Sequence, residues 1–257
     1  MTSQLKHIRL ENTEGVARIT LARPKHNVLN IDLMNEFNGE LSKLLTDDQL
    51  KCLVLLAEGP SWCAGVEVAD HKPALVEEMI TTFNRIFKLI EQLQVPTIAA
   101  VHGACLGGGM ELAIACDMVL AAEGAIFGQP EIKLGFLPPY AAIRLPRLVG
   151  VARAIEICTT GRRYTAAEGL QMGFVSHLYP ADEFSGQVEK MIQEIAQCSP
   201  LIIRLNKQAV KRHLKLVFEA ALEEVGEMFL KELMRTEDTL EGIASFEEKR
   251  RPVWKNR

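Results

Sequence analysis

The chain has 257 residues, of which 48% are hydrophobic and 24% charged, and its formal net charge of -4 gives no overall attraction to nucleic acid or anionic lipid. Its start, MTSQLKHIRLENTEG, turns polar too early for a secretory signal peptide. No apolar run approaches the roughly 20 residues that a membrane helix needs. We therefore expect a cytoplasmic protein that binds neither membranes nor nucleic acid.

The first part of the chain alternates short apolar runs with amphipathic segments. The runs are bounded by glycine, proline or polar residues, as strands are, and they cover residues 16–22, 52–58, 96–103, 117–123 and 173–180. Residues 31–45 have a helical pattern with Asn30 as N-cap, and apolar residues recur every three or four positions over 73–94. Strands alternating with helices predict an α/β fold with repeated ββα units.

The composition changes near residue 180. No strand pattern follows, and helical runs continue to residue 249 with breaks at Pro200 and near His213. The amphipathic stretch 217–250 is rich in Leu, Met and Phe, so it should pack on the core of its own chain or on another subunit. We therefore expect a core over residues 1–180 and a helical region over 181–257, joined in one domain.

The six cysteines are scattered singly along the chain and form no C-x-x-C pair. Most lie in apolar stretches, which favours buried reduced thiols over disulfides or a metal site. We expect a protein without a bound metal.

Three consecutive glycines open a helical pattern in CLGGGMELAIACD, residues 105–117. Glycines permit close approach, and the N–H groups at a helix start favour an anion, either a phosphate or the oxyanion of an enolate. Phosphate is disfavoured because no Gly-Lys-Ser/Thr follows. Glu111 lies in the first predicted turn, where the helix dipole favours its ionised form; it is either a functional carboxylate or a charge that stabilises the helix.

A second glutamate, Glu131, follows a Gly-Gln-Pro corner in AIFGQPEIKLGF, residues 125–136. Apolar neighbours would desolvate its carboxyl and raise its pKa, which suits a proton donor. The alternative is a solvated carboxylate in a turn. If the two glutamates converge near the glycine N–H groups, they form an acid, a base and an oxyanion site.

Five segments together resemble the crotonase (enoyl-CoA hydratase/isomerase) superfamily over essentially the whole chain. They are SWCAGVEV, the stretch from VHGACLGGGMEL to GQPEIKLGFLP, RLVG, TGRRYTAAEGLQMGFV and the ending EGIASFEEKRRPVWKNR. The resemblance implies a spiral of ββα units, with C-terminal helices that form trimers or hexamers. It also implies an acyl-CoA thioester as substrate, so that coenzyme A is part of the substrate and no other cofactor is needed.

The resemblance further implies a role for several residues. The thioester oxygen would lie between the N–H groups of Ala64 and Gly108. The family's hydratases keep two glutamates at the positions of Glu111 and Glu131, where the first activates water and the second protonates the α-carbon. We therefore expect a hydro-lyase that adds water to an α,β-unsaturated acyl-CoA. Candidate contacts to CoA are Lys25, Phe246 and Lys249.

The sequence departs from the usual family pattern in GFLPPYAAIRL, residues 135–145. Pro139 and Tyr140 replace small residues, and either they reshape the acyl pocket for a flat cyclic group or Tyr140 is a core aromatic. Glu67 stands where aspartate is common and is either a third acid near the entrance or a surface charge. With both glutamates kept, a pocket reshaped by Pro139 and Tyr140 resembles that of the alicyclic dienoyl-CoA hydratases of anaerobic aromatic degradation. The alternative is a short-chain enoyl-CoA hydratase of β-oxidation.

A rival class is a crotonase-fold protein that binds RNA. The basic tail KRRPVWKNR carries Trp254, as RNA-contacting tails do. The tail is short and matches the family ending, and the chain is acidic overall, so the sequence favours the enzyme.

Overall fold

The structure, a computed structural model, describes residues 5–212, 214, 224, 227–229 and 231–257. Two sheets form its frame. The larger has the strand order β1-β2-β3-β5-β7-β10, with β1 Ile8–Thr13, β2 Val16–Leu21, β3 Cys52–Ala57, β5 Thr97–Val101, β7 Met118–Ala122 and β10 His177–Tyr179. The smaller has the order β4-β6-β8-β9, with β4 Ser61–Cys63, β6 Ala104–Leu106, β8 Ile126–Gly128 and β9 Arg163–Thr165.

The helices connect the strands in a regular way. Their bounds are α1 Ile31–Leu44, α2 Val76–Gln92, α3 Gly108–Ala115, α4 Ala141–Val149, α5 Val151–Thr160, α6 Ala166–Met172, α7 Phe184–Ala196, α8 Pro200–Arg212 and α9 Glu237–Glu247. Short 3-10 helices cover Val68–His71, Pro130–Leu134 and Leu233–Arg235.

Each repeat sends one strand to each sheet before its helix. Thus β3 joins the larger sheet, β4 the smaller, and α2 follows; β5, β6 and α3 repeat this order. Strands β3, β5 and β7 pair in parallel, as do β4, β6 and β8. The predicted fold class, a spiral of ββα units, is confirmed.

The longer predicted elements agree with the structure. Strands β2, β3, β5 and β7 lie within the predicted runs, and α1 begins where the Asn30 side chain accepts from Leu33 N–H at 3.1 Å. Helix α2 starts at Val76, because residues before it form turns in which Leu75 N–H donates to Lys72 O. Strand β10 covers less than the predicted 173–180, since Gly173 caps α6 in the left-handed conformation.

The sequence did not predict β1 or any strand of the smaller sheet. Strands β4, β6, β8 and β9 have only three residues each, which is too short for an alternating pattern to be recognised. These strands nevertheless position the functional site, because they carry the chain into and out of its loops.

Four of the six cysteines are buried as predicted: Cys52, Cys63, Cys105 and Cys116. Cys158 is half-buried, Cys198 is exposed, and all six are free thiols. Burial raises the pKa of Cys63 to about 12, so this thiol stays protonated and unreactive.

The helical region after residue 180 packs on the larger sheet. Val188 and Ile192 of α7 lie in a buried cluster with Val54 of β3 and Leu120 of β7. Helix α7 therefore packs on the core of its own chain; it precedes the stretch 217–250, whose packing partner stays a prediction. His213 lies outside the described residues, and so do residues 217–223, 225–226 and 230 of the stretch 217–250. Within the described ranges, no helix has the length and apolar character of a membrane span.

A buried ion pair joins α8 to the sheet. Lys207 Nζ lies 2.6 Å from both Asp117 Oδ2 and Val95 O, and Asp117 Oδ2 also accepts from Thr97 N–H and its hydroxyl. Burial alone would raise the pKa of Asp117, but Lys207, Lys211 and the Thr97 N–H together outweigh it and hold this pKa below its usual range. Breaking one partner would leave a desolvated ammonium without its counter-charge.

Asp117→Asn should therefore lower the free energy of unfolding by about 3 kcal/mol, as expected for breaking a buried pair. Urea denaturation at pH 7 measures this. The control is Glu91→Gln, which removes the exposed partner of Lys211 and should change stability by less than about 1 kcal/mol. Equal effects of the two variants would show that the pair does not anchor α8.

Candidate functional site

The triple glycine allows α3 to approach β4 and the loop that follows it. A Cβ on Gly109 would lie 2.3 Å from Cys63 O, and one on Gly108 would lie 2.5 Å from Val66 Cγ2. Gly107 has φ 54°, which a side chain rarely adopts, and its N–H donates to Gly128 O at 2.8 Å. Only glycines fit these contacts, so the start of α3 is held against the loop containing Val66.

Glu111 lies in the first turn of α3 with 1% of its surface exposed. Its Oε1 accepts from the N–H groups of Tyr140 at 2.7 Å and Ala141 at 2.8 Å, where α4 begins. Burial raises the pKa of Glu111 to about 8, and the charge of Glu131 contributes, although the two N–H groups oppose the shift. The position in the first helical turn therefore does not keep the pKa of Glu111 low, because burial is the largest influence on it.

Glu131 lies in the 3-10 helix Pro130–Leu134, and its carboxyl rests on the glycine backbone. A Cβ on Gly107 would lie 2.6 Å from Glu131 Oε1. With the Gln129 amide oriented to satisfy both groups, its nitrogen donates to both carboxylate oxygens at 3.0 Å. Burial raises the pKa of Glu131 to about 7, which confirms the predicted direction and cause.

One cavity of about 430 Å³ brings the two glutamates together with Ala64, Gly108 and Pro139. Its other walls are mostly apolar. Helix α2 contributes Val76, Met79, Ile80 and Phe83, and the segment after Glu131 contributes Leu134, Phe136 and Leu137. An apolar cavity of this kind strengthens electrostatic interactions within it, because little water screens them.

The backbone donors at the cavity differ from the predicted pair. Ala64 N–H donates to His26 O at 2.9 Å and is therefore occupied. Val66 pairs with Leu29 through the bonds of its neighbours: Leu29 N–H donates to Gly65 O and Glu67 N–H to Leu29 O. Within the described part of the chain, no acceptor bonds Val66 N–H, nor Gly108 N–H at the start of α3. The available donors are thus Val66 and Gly108.

Tyr140 and Glu67 do not line the cavity with their side chains. The Tyr140 ring stacks on Phe87 with 3.9 Å between centroids and 10° between planes, which agrees with the core-aromatic alternative. Its contribution to the site is the backbone N–H that holds Glu111. The Glu67 carboxylate binds Arg23 Nη2 at 3.2 Å. Of these three departures from the family pattern, only Pro139 lies in the cavity wall.

Two of the candidate CoA contacts, Lys25 and Lys249, lie outside the cavity lining. Lys25 is exposed and directly precedes His26, whose carbonyl receives Ala64 N–H. Lys249 is exposed just after α9, and the Phe246 side chain is outside the described part of the structure. Neither lysine is among the residues that line the cavity.

Sequence reasoning missed three residues of the site: Val66, Gln129 and His71. Gln129 lies in the Gly-Gln-Pro-Glu corner, two residues before the glutamate to which its amide donates. The Val66 N–H is identified by the parallel bridge between Val66 and Leu29. These residues are far apart in sequence, so no local pattern indicates the bridge. His71 lines the cavity from the 3-10 helix Val68–His71, and its local sequence carries no signal for this.

Two carboxyls with raised pKa values, free N–H donors and an apolar cavity define an acid–base enzyme that can stabilise an oxyanion. Residues 11–257 match the family model described as enoyl-CoA hydratase/isomerase. A probable enoyl-CoA hydratase of Mycobacterium tuberculosis is 37% identical over 257 residues, which is 97% of this chain and 98% of that protein.

Two further relatives agree with this match. The cyclohexa-1,5-dienecarbonyl-CoA hydratase of Thauera aromatica is 33% identical over 96% of each chain. The crystal structure of an enoyl-CoA hydratase from Bacillus anthracis is 31% identical and covers 98% of this chain and 100% of that one, with a TM-score of 0.92. The chain therefore belongs to the enoyl-CoA hydratase/isomerase family, and it is an enzyme, a hydro-lyase of the enoyl-CoA hydratase type.

Glu111→Gln should stabilise the fold increasingly as pH rises from 5 to 8. The folded-state pKa of Glu111, about 8, lies above the ordinary glutamate pKa of 4.5, so the stability of the protonated form is lost as pH rises through this window. Glutamine does not titrate and can still accept both N–H bonds. The advantage should grow by at most about 1.4 kcal/mol per pH unit in chemical denaturation. A difference that stays constant with pH would contradict the raised pKa.

Proposed function

We propose that this enzyme adds water across the double bond of an α,β-unsaturated acyl-CoA thioester. The observation that carries the proposal is the convergence of Glu111 and Glu131 on one apolar cavity beside free N–H groups. Burial raises the pKa of Glu111 to about 8 and that of Glu131 to about 7. The two carboxyls interact and titrate as a pair, so at neutral pH the pair can hold a single proton. One carboxyl can then act as base while the other acts as acid.

The thioester oxygen binds the N–H groups of Val66 and Gly108. A water molecule between the carboxyls donates a hydrogen bond to Glu111, which favours the ionised form of Glu111 and leaves the shared proton on Glu131. Glu111 takes a proton from the water as its oxygen attacks the β-carbon. The electrons of the double bond move to the thioester oxygen as an enolate, and each N–H donor stabilises this charge by about 3 kcal/mol.

The reaction ends with proton transfer to carbon. Glu131 donates its proton to the α-carbon as the enolate collapses, so one water has been added. Glu111 is then protonated and Glu131 ionised, and one proton shift between them restores the starting state. Gln129 holds both oxygens of Glu131 and thereby fixes the direction from which this proton is delivered.

A second candidate substrate is a cyclic dienoyl-CoA. Pro139 is rigid and lies in the cavity wall, and a relative of the same length is named for such a substrate. Tyr140 gives this candidate no support, because its ring packs on Phe87. For either substrate we propose Lys25 as a contact to the CoA phosphates, and Phe246 and Lys249 as contacts to the CoA of a neighbouring subunit in a trimer or hexamer.

Glu111→Gln and Glu131→Gln should each lower kcat with crotonyl-CoA by at least about 100-fold, because each removes a general acid–base group. A mass-resolved assay measures the gain of one water without release of CoA. The control is Glu189→Gln, whose carboxylate binds Arg18 away from the cavity lining. Near-normal turnover by either glutamine variant would remove that glutamate from the mechanism.

Crotonyl-CoA and cyclohexa-1,5-diene-1-carbonyl-CoA should be compared in the same assay. We expect a higher kcat/KM for crotonyl-CoA, because only Pro139 among the unusual residues touches the cavity. A preference for the cyclic diene would instead assign the wall at Pro139 to ring recognition. Hydration of neither would contradict the proposed function.

RNA binding is the alternative from another class. The tail residues make contacts within the chain: Arg250 Nη2 binds Glu241 Oε2 at 2.9 Å, and Trp254 Nε1–H donates to Gln197 O at 2.7 Å. Nanomolar, salt-sensitive binding of RNA would support this alternative.

A further inference from the structure

His71 gives the cavity a third polar side chain that the proposed reaction does not use. Among the described residues that line the cavity, only His71, Glu111 and Glu131 have a side-chain nitrogen or oxygen. The walls near His71 are apolar. Its ring lies against Phe136, with 4.7 Å between centroids and 35° between planes. A polar group in such a place affects which ligands bind well.

The contacts of His71 determine which ring nitrogen is available. Nδ1 lies 2.9 Å from Glu67 O, and a carbonyl can only accept, so Nδ1 carries the hydrogen in this bond. In the neutral ring Nε2 is then an acceptor. Glu67 is itself fixed, since its N–H donates to Leu29 O and its carboxylate binds Arg23. No partner of Nε2 exists among the described residues.

His71 lines the cavity near the start of α2, whose Phe83 follows about two turns further along the helix. Phe83 is beside Gly108, because a Cβ on Gly108 would lie 3.1 Å from Phe83 Cζ. Val76 lines the cavity seven residues earlier on the same helix, roughly 10 Å away at the usual helical rise. Val76 N–H donates to Lys72 O, which places His71 directly before this end of α2.

We propose that His71 determines specificity by accepting, through Nε2, a hydrogen bond from a hydroxyl group on the distal part of the acyl chain. This inference rests on the proposed function, because it assumes a thioester bound at Val66 and Gly108. A purely apolar chain would displace water from Nε2 and offer no donor in return, which weakens its binding. The favoured substrates are therefore acyl-CoA thioesters that carry a distal hydroxyl.

The first test uses the unaltered enzyme. The kcat/KM values of 2-enoyl-CoA thioesters with five to eight carbons are compared with those of the same chains bearing a terminal hydroxyl. At one chain length we expect the hydroxylated substrate to be preferred by about 10-fold, as one hydrogen bond to a half-buried group allows. No preference for the hydroxyl at any length would overturn the proposal.

His71→Asn tests the role of Nε2. The asparagine amide nitrogen can still donate to Glu67 O, but the shorter side chain places no acceptor at the position of Nε2. The preference for the hydroxylated chain should fall about 10-fold. His177→Asn is the matched control, since His177 is exposed and stacks on Tyr179 away from the cavity. If His71→Asn fails to fold, the ¹⁵N shift of His71 Nε2 in the unaltered enzyme decides: it should move with the hydroxylated ligand only.

Binding of saturated acyl-CoA thioesters separates this inference from the proposed function, because it requires no turnover. Calorimetry with hexanoyl-CoA and 6-hydroxyhexanoyl-CoA should give tighter binding of the hydroxylated ligand, and this difference should be lost in His71→Asn. Selective binding without any hydration would overturn the proposed function and support the role of His71. Hydration of the enoyl-CoA substrates, without a preference for the hydroxyl in either assay, would support the proposed function and overturn the role of His71.

Discussion

The burial of Glu111 is the interaction on which the rest of the site depends. Its carboxyl fastens α3 to the N–H groups of Tyr140 and Ala141, so the start of α4 is fixed by a group that also faces the cavity. Between these two helices the chain carries Glu131. One desolvated carboxyl thus serves both packing and chemistry, and its raised pKa is the result of that position.

Close backbone packing makes this position possible. Gly109 meets the carbonyl of Cys63, and Gly107 meets the carboxyl of Glu131, at distances that leave no room for a Cβ. The three-residue strands of the smaller sheet bring these loops together, while the larger sheet provides the rigid frame. The N–H groups of Val66 and Gly108, which have no acceptor among the described residues, follow from the same arrangement. The bridge of Val66 to Leu29 uses the bonds of its neighbours Gly65 and Glu67, and Gly108 is the first residue of α3.

The apolar walls then give the two glutamates their chemical character. In water both carboxyls would be ionised at neutral pH, and neither could donate a proton. Burial raises both pKa values to the neutral range, so the pair can hold a single proton. His71 adds a side chain held by Glu67 O to the same walls, so one cavity contains both carboxyls and a further polar group.

The sequence by itself determined the ββα class and the main strands of the larger sheet, because periodicity carries that information. The family resemblance pointed to Glu111, Glu131 and Gly108, which the structure brings to one cavity. The sequence also predicted the raised pKa of Glu131 from its apolar neighbours. Only the tertiary structure decided that Ala64 N–H is taken by His26, that Val66 is free, that Tyr140 packs on Phe87 and that His71 enters the cavity. Each of these outcomes depends on contacts between segments distant in sequence, which no local pattern encodes.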